Sequence, residues 1–164
     1  MRPALLVIDV QNKWLHSSPG LRASLEQRVE VINSAIAIFR KKGLPIIRVY
    51  HVDKEEGPLP DTEEFDFMPS IKIAGTDTQV IKNYLNAFNK TELSDILTQR
   101  NVDTVILCGL SATGCVLATY VGAEDHDLHP FLLRDGVAAG SEQNVRFAEE
   151  IFETLSIGAL TQVL

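Results

Sequence analysis

Side chains that could combine into covalent chemistry lie far apart along this chain. Asp9 lies at the end of the apolar run ALLVIDV, Lys82 sits in VIKNYLNAFNKTEL, and Cys108 and Cys115 fall in LCGLSATGCVLATY. A thiol becomes a nucleophile on losing its proton, a carboxylate can take that proton, and an ammonium beside both stabilises their charges. Each residue also has a plainer reading. Asp9 could cap the loop after its strand, and Lys82 could be a solvated surface residue. The cysteines could form a disulfide, bind a metal as a pair, or simply pack.

Position separates the two cysteines. Cys108 lies within the apolar strand VDTVILCG (102–109), where a thiol behaves as a small hydrophobe. Cys115 follows a few residues later, in the first turn of a helix expected to begin near Thr113 or Gly114. There the helix dipole and unpaired N–H groups lower a thiol pKa and favour thiolate. A disulfide needs Cα atoms within about 7 Å, which a strand end and the following helix do not offer. On that expectation, Lys82→Met and Asp9→Asn should each reduce the thiolate at Cys115.

Other patterns fail. GLSAT lacks the last glycine of a G-x-S-x-G elbow, and no dinucleotide or P-loop glycine motif occurs. His126-x-x-His129 spans a helix-to-strand corner, and His51-x-Asp53 lacks further ligands at zinc-like spacing, so no metal is expected. Trp14 is either a lid over the core or a pocket wall. His51, Tyr84, Phe88 and Thr119 are the other candidate pocket residues.

The chain has 164 residues, 45% of them hydrophobic and 23% charged, which suits one domain over 1–164 with a real core. Its net charge of −7 and single basic run, Arg40-Lys41-Lys42, argue against polynucleotide binding. No stretch approaches the roughly 18 apolar residues of a membrane span. MRPALLVIDV lacks the h-region and cleavage site of a signal peptide, so a cytoplasmic location is expected.

Periodicity supplies the elements that must position these residues. Strands are expected at 4–10, 44–51, 79–82, 102–109, 129–135 and in the final IGALTQVL. Ser24-Leu25-Glu26-Gln27 reads as a capping box opening a helix that ends near Gly43. Further helices are expected over 92–100 behind Thr91, from about 113 to Asp127, and from Ser141 to about Leu155. Residues 53–78 read as a long excursion of the functional kind. The alternation predicts an α/β protein with a three-layer α/β/α Rossmann-like fold and a mostly parallel sheet of about six strands. Ligands of such sheets bind beyond the strand C-termini at the switch in strand order. That rule alone selects Asp9, His51, Lys82 and the GLSATGC turn.

Three segments, ALLVIDVQNKW, KNYLNAFNKTEL and GLSATGCVLAT, together resemble the isochorismatase-like cysteine hydrolases, a superfamily that includes nicotinamidases and N-carbamoylsarcosine amidases. The resemblance implies a catalytic triad of Asp9, Lys82 and Cys115. It also implies an oxyanion hole from the N–H groups of Ser111 and Cys115, with a cis peptide between Leu110 and Ser111. It implies no cofactor, a small-molecule substrate and a homo-oligomer. HVDKEEGPLPDTEEFDFMPS has no histidine after His51, unlike metal-dependent nicotinamidases. Cys115 itself departs from isochorismate-cleaving members, which lack the nucleophile. The expected reaction is cleavage of a C–N bond in a small amide, ureido or carbamoyl group through a thioester on Cys115. The alternative is a redox-sensing or small-molecule-binding protein without catalysis.

Overall fold

In the computed structural model, which describes residues 1–164, six strands form one sheet in the order β3-β2-β1-β4-β5-β6, and every pairing is parallel. The strands are β1 (Pro3–Ile8), β2 (Ile46–His51), β3 (Thr78–Lys82), β4 (Thr104–Leu110), β5 (His129–Ala138) and β6 (Thr154–Leu155). The helices are α1 (Pro19–Lys41), α2 (Leu93–Gln99), α3 (Cys115–Asp125), α4 (Glu142–Ile151) and α5 (Ile157–Val163), with a 3-10 turn at Asn12–His16. No helix is long and apolar enough to cross a membrane.

Every residue of β1 is buried, because helices cover both faces of a parallel sheet. Side chains alternate between the two faces. Ala4, Leu6 and Ile8 join Val49, Val80, Val105 and Leu107 beneath α2, α3 and α4. Leu5, Val7, Ile106 and Cys108 point the other way, against Leu25, Ile32, Ile36 and Phe39 of α1. The 53–77 excursion has no helix or strand of its own, yet it is pinned beside β1. Met68 N–H donates to the Val10 carbonyl and Asn12 N–H to that of Asp66, while Phe65 and Phe67 pack on Tyr50 at 4.7 and 4.4 Å.

Three elements differ from the sequence reading by four or more residues or in type. Helix α1 begins at Pro19 rather than after Ser24, because Ser18 caps it, its hydroxyl accepting from Leu21 N–H at 3.1 Å. Proline at the first helical position has no N–H to leave unpaired, which reinforces that start. Ser24 is buried inside the helix and accepts from Ala139 N–H instead. Helix α4 ends at Ile151, four residues short of the expected Leu155, where Phe152 turns extended. The final segment is not a strand. Ser156 caps it as α5, accepting from Ala159 N–H, and Leu160 is fully buried against the α1 side of the core. The last strand is only Thr154–Leu155.

The chain moves outward from β1 to β2 and β3, then returns to place β4 on the other side of β1. That reversal puts the switch point between β1 and β4. Here Gly109 has a φ of 107°, and a Cβ added there would overlap the Ile8 carbonyl oxygen. Both facts require glycine. Gly109→Ala is therefore expected to cost roughly 2–4 kcal/mol and to lower Tm by roughly 5–15 °C, measured by thermal unfolding. The cost falls on the backbone immediately preceding Asp9.

Candidate active site

Asp9 follows the last residue of β1 with φ 53°, a left-handed conformation that aspartate tolerates better than most residues. The Asp9 N–H still donates to Val49 O, so the residue is held against β2 as the chain turns off the sheet. His51 and Lys82 end β2 and β3 as paired neighbours in register, and so share a face. Cys115 is the first residue of α3. Four elements thus deliver four side chains to one end of the sheet.

Lys82 is the centre of that cluster. Its ammonium is wholly buried and donates to Asp9 Oδ2 at 2.8 Å, His51 Nδ1 at 3.0 Å and Cys115 Sγ at 3.2 Å. An ammonium has three protons, so all are used. This complete pairing is what makes a buried lysine tolerable. The other carboxylate oxygen, Asp9 Oδ1, is buried with no partner.

The electrostatics revise the expected state of the thiol. Burial, then the Asp9 carboxylate, push the Cys115 thiol up to about 12, against the opposing pull of Lys82. The expectation of a low-pKa thiolate at the helix start is therefore corrected: burial and a neighbouring anion push the thiol the other way. Asp9 is itself raised above the usual carboxylate range, by burial first, with Lys82 working against the shift. At rest the arrangement is an Asp9–Lys82 ion pair beside a protonated thiol. Cys108 is free, fully buried and pushed up by burial alone, its thiol facing the Leu6 carbonyl at 3.5 Å.

Backbone donors lie beside the thiol. The N–H groups of Ser111 and Thr113 have no protein acceptor, and that of Cys115, first in its helix, precedes any intrahelical partner. The Leu110–Ser111 peptide is cis, as is Gly57–Pro58.

Gln11 is a residue the sequence reading missed. It is fully buried, and its amide nitrogen donates to the carbonyls of His51 and Phe65 while its oxygen accepts from His51 N–H at 2.9 Å. It thereby ties the end of β2 and the long excursion to the turn after Asp9. The available signal was a glutamine two residues beyond Asp9, entering the same switch point. Trp14 stands beside His51, ring centroids 6.3 Å apart, and its buried indole N–H has no acceptor.

The other candidate pocket residues separate from the cluster. Thr119 is fully buried, and its hydroxyl accepts from Ala87 N–H, so it anchors the 83–92 loop. Phe88 is a core residue stacked on His126 just past the C-terminal end of α3, away from Cys115. Tyr84 is 43% exposed, with its hydroxyl bonded to Lys90. Their apolar or hydroxyl character was legible, but the direction each faces was not. A cavity of about 800 Å³ also lies elsewhere. It opens at the N-terminal end of the strands, around Arg2, Lys42 and Arg100.

One carboxylate oxygen of Asp9, a ring nitrogen of His51 and Cys115 Sγ lie within 4.8 Å of one another, a set chemically able to hold a metal. Lys82 Nζ stands among them at hydrogen-bond distance from all three. A fixed cation already fills the place an ion would take, so these donors do not fit a metal.

Fold and cluster together define an α/β protein with a cysteine site at the sheet's switch point. The chain belongs to the isochorismatase family, whose isochorismatase domain it matches over residues 3–160. It is 39% identical over 157 residues to a maleamate amidohydrolase of Pseudomonas putida, covering 83% of this chain and 72% of that protein. It is 27% identical over 148 residues to an uncharacterised isochorismatase family protein of Bacillus subtilis, covering 87% of this chain and 81% of that one. An isochorismatase-like hydrolase structure from Alkaliphilus metalliredigens superposes with a TM-score of 0.89 over 99% of both chains at 21% identity, a likeness of fold.

Proposed function

We propose that this isochorismatase-family hydrolase cleaves the C–N bond of a small amide, ureido or carbamoyl substrate, with Cys115 as nucleophile. The observation that carries the reading is Lys82 Nζ donating to both Asp9 and Cys115 in a buried site. Asp9 takes the thiol proton as Cys115 Sγ attacks the carbonyl carbon, forming a tetrahedral oxyanion. The free N–H groups of Ser111 and Cys115 stabilise that oxygen. Collapse breaks the C–N bond, and Asp9 returns the proton to the departing amine. Water, deprotonated by Asp9, then hydrolyses the Cys115 thioester, releasing the acid and regenerating the thiol. Lys82 keeps its charge throughout and compensates whichever neighbour is negative.

The Asp9–Lys82 pair set against the thiol supplies a proton acceptor and a charge partner that the alternative, a redox sensor, leaves unused. The named activity of the Pseudomonas putida relative, an amidohydrolase, supports the amide class. A cytoplasmic homo-oligomer is part of the same proposal, and light scattering checks the assembly. Ammonia release across a panel of small amides, ureas and carbamoyl compounds tests the function. Turnover of at least one compound by the native protein is expected. No turnover across the panel contradicts the reading.

A further inference from the structure

We propose that His51 contacts substrate: Lys82 fixes it as the neutral tautomer with its proton on Nε2, and that N–H binds an oxygen acceptor of the substrate beyond the scissile carbonyl. This rests on the amidase reading of the same site and assigns it a substrate feature. Nδ1 lies 3.0 Å from an ammonium whose other protons are held by Asp9 and Cys115. To accept that third proton Nδ1 must be bare, which leaves the ring's one proton on Nε2. Nε2 has no protein partner and is not among the buried unpaired atoms, so it is open at the mouth of the site. Gln11 fixes the backbone from which the ring projects, through both the N–H and the carbonyl of His51.

The groups facing this imidazole come from every neighbouring element: Asp9 beyond β1, Lys82 ending β3, Cys115 opening α3, and Asp53 two residues along its own chain. Burial and then Lys82 hold His51 below its usual range, so it stays neutral at pH 7. The neighbouring Trp14 ring, its centroid 6.3 Å from that of His51, carries a buried indole N–H without an acceptor. An Nε2–H open to a ligand favours a carboxylate or carbonyl on the substrate over an apolar end.

The tautomer is tested by long-range imidazole ¹H–¹⁵N correlation at pH 7.5, with the His51 signals assigned by their loss in His51→Asn. The expected pattern is a proton on Nε2, a bare Nδ1, and titration below the usual histidine range, moving upward in Lys82→Met. A proton on Nδ1, or a cationic ring at pH 7.5, overturns the proposal. The contact is tested by protection of Cys115 from iodoacetamide, using succinamate, succinamide and 4-methylpentanamide. These carry a carboxylate, a carbonyl and no acceptor at the far end, respectively. Succinamate or succinamide should protect at least roughly tenfold better than 4-methylpentanamide, and His51→Asn should erase that preference. Asn keeps an acceptor for Lys82 near the level of Nδ1 but places no donor at Nε2. Equal protection by all three, or a preference unchanged in His51→Asn, overturns the contact. Neither test needs turnover, so failure of the hydrolase reading shows separately in the ammonia screen.

Discussion

Asp9→Asn is expected to make Cys115 easier to deprotonate while removing activity. The thiol is pushed to about 12 by burial and by the Asp9 carboxylate, with Lys82 opposing. Asparagine removes the anion and leaves the ammonium 3.2 Å from Sγ unopposed. The thiol pKa then falls, and each unit raises the thiolate fraction at neutral pH roughly tenfold. In a Cys108→Ala background, the half-maximal pH for alkylation by iodoacetamide should shift downward. Turnover should fall at least roughly 10³-fold, because no group remains to carry the proton from thiol to leaving amine. This inverts the expectation from sequence that Asp9→Asn would reduce the thiolate. A midpoint that stays put or moves upward would mean that Asp9 sustains a standing thiolate.

Cys115→Ala should lower turnover on the order of 10⁴-fold or more, since covalent attack has no substitute in the site. Cys108→Ala should keep turnover within about twofold. Its thiol is buried on the opposite face of the sheet, among residues packed against α1, and touches only the Leu6 carbonyl. Removing that sulfur leaves a small void and costs about 1–2 kcal/mol of stability. Parallel assays and thermal melts of the two variants check the division. Comparable loss of activity in both would contradict it.

The order of strands and the residues at their C-terminal ends were legible because apolar runs and a parallel topology leave few arrangements. Asp9, Lys82 and Cys115 each stood where that topology delivers side chains to a ligand. The junction of His51 with Lys82 was not legible. They are 31 residues apart and meet only through the register of β2 on β3. The state of the thiol was misread for a related reason: local sequence shows a helix start, whereas burial and Asp9 arrive from the tertiary fold. Thr119 and Phe88 were candidate pocket residues, but helix phase and loop path turn both into the core. At the C-terminus, IGALTQVL has the composition of a strand. Ser156 as cap and burial of Leu160 over α1 make it a helix.

The central claim is that Cys115 becomes acylated during turnover. Cys108→Ala protein, acid-quenched in the first turnovers of a substrate from the ammonia screen, can be digested and mapped by mass spectrometry. The account predicts an acyl mass on the peptide containing Cys115, removed by neutral hydroxylamine as a thioester should be. Rapid product formation with Cys115 unmodified, or an adduct on any other residue, would contradict it.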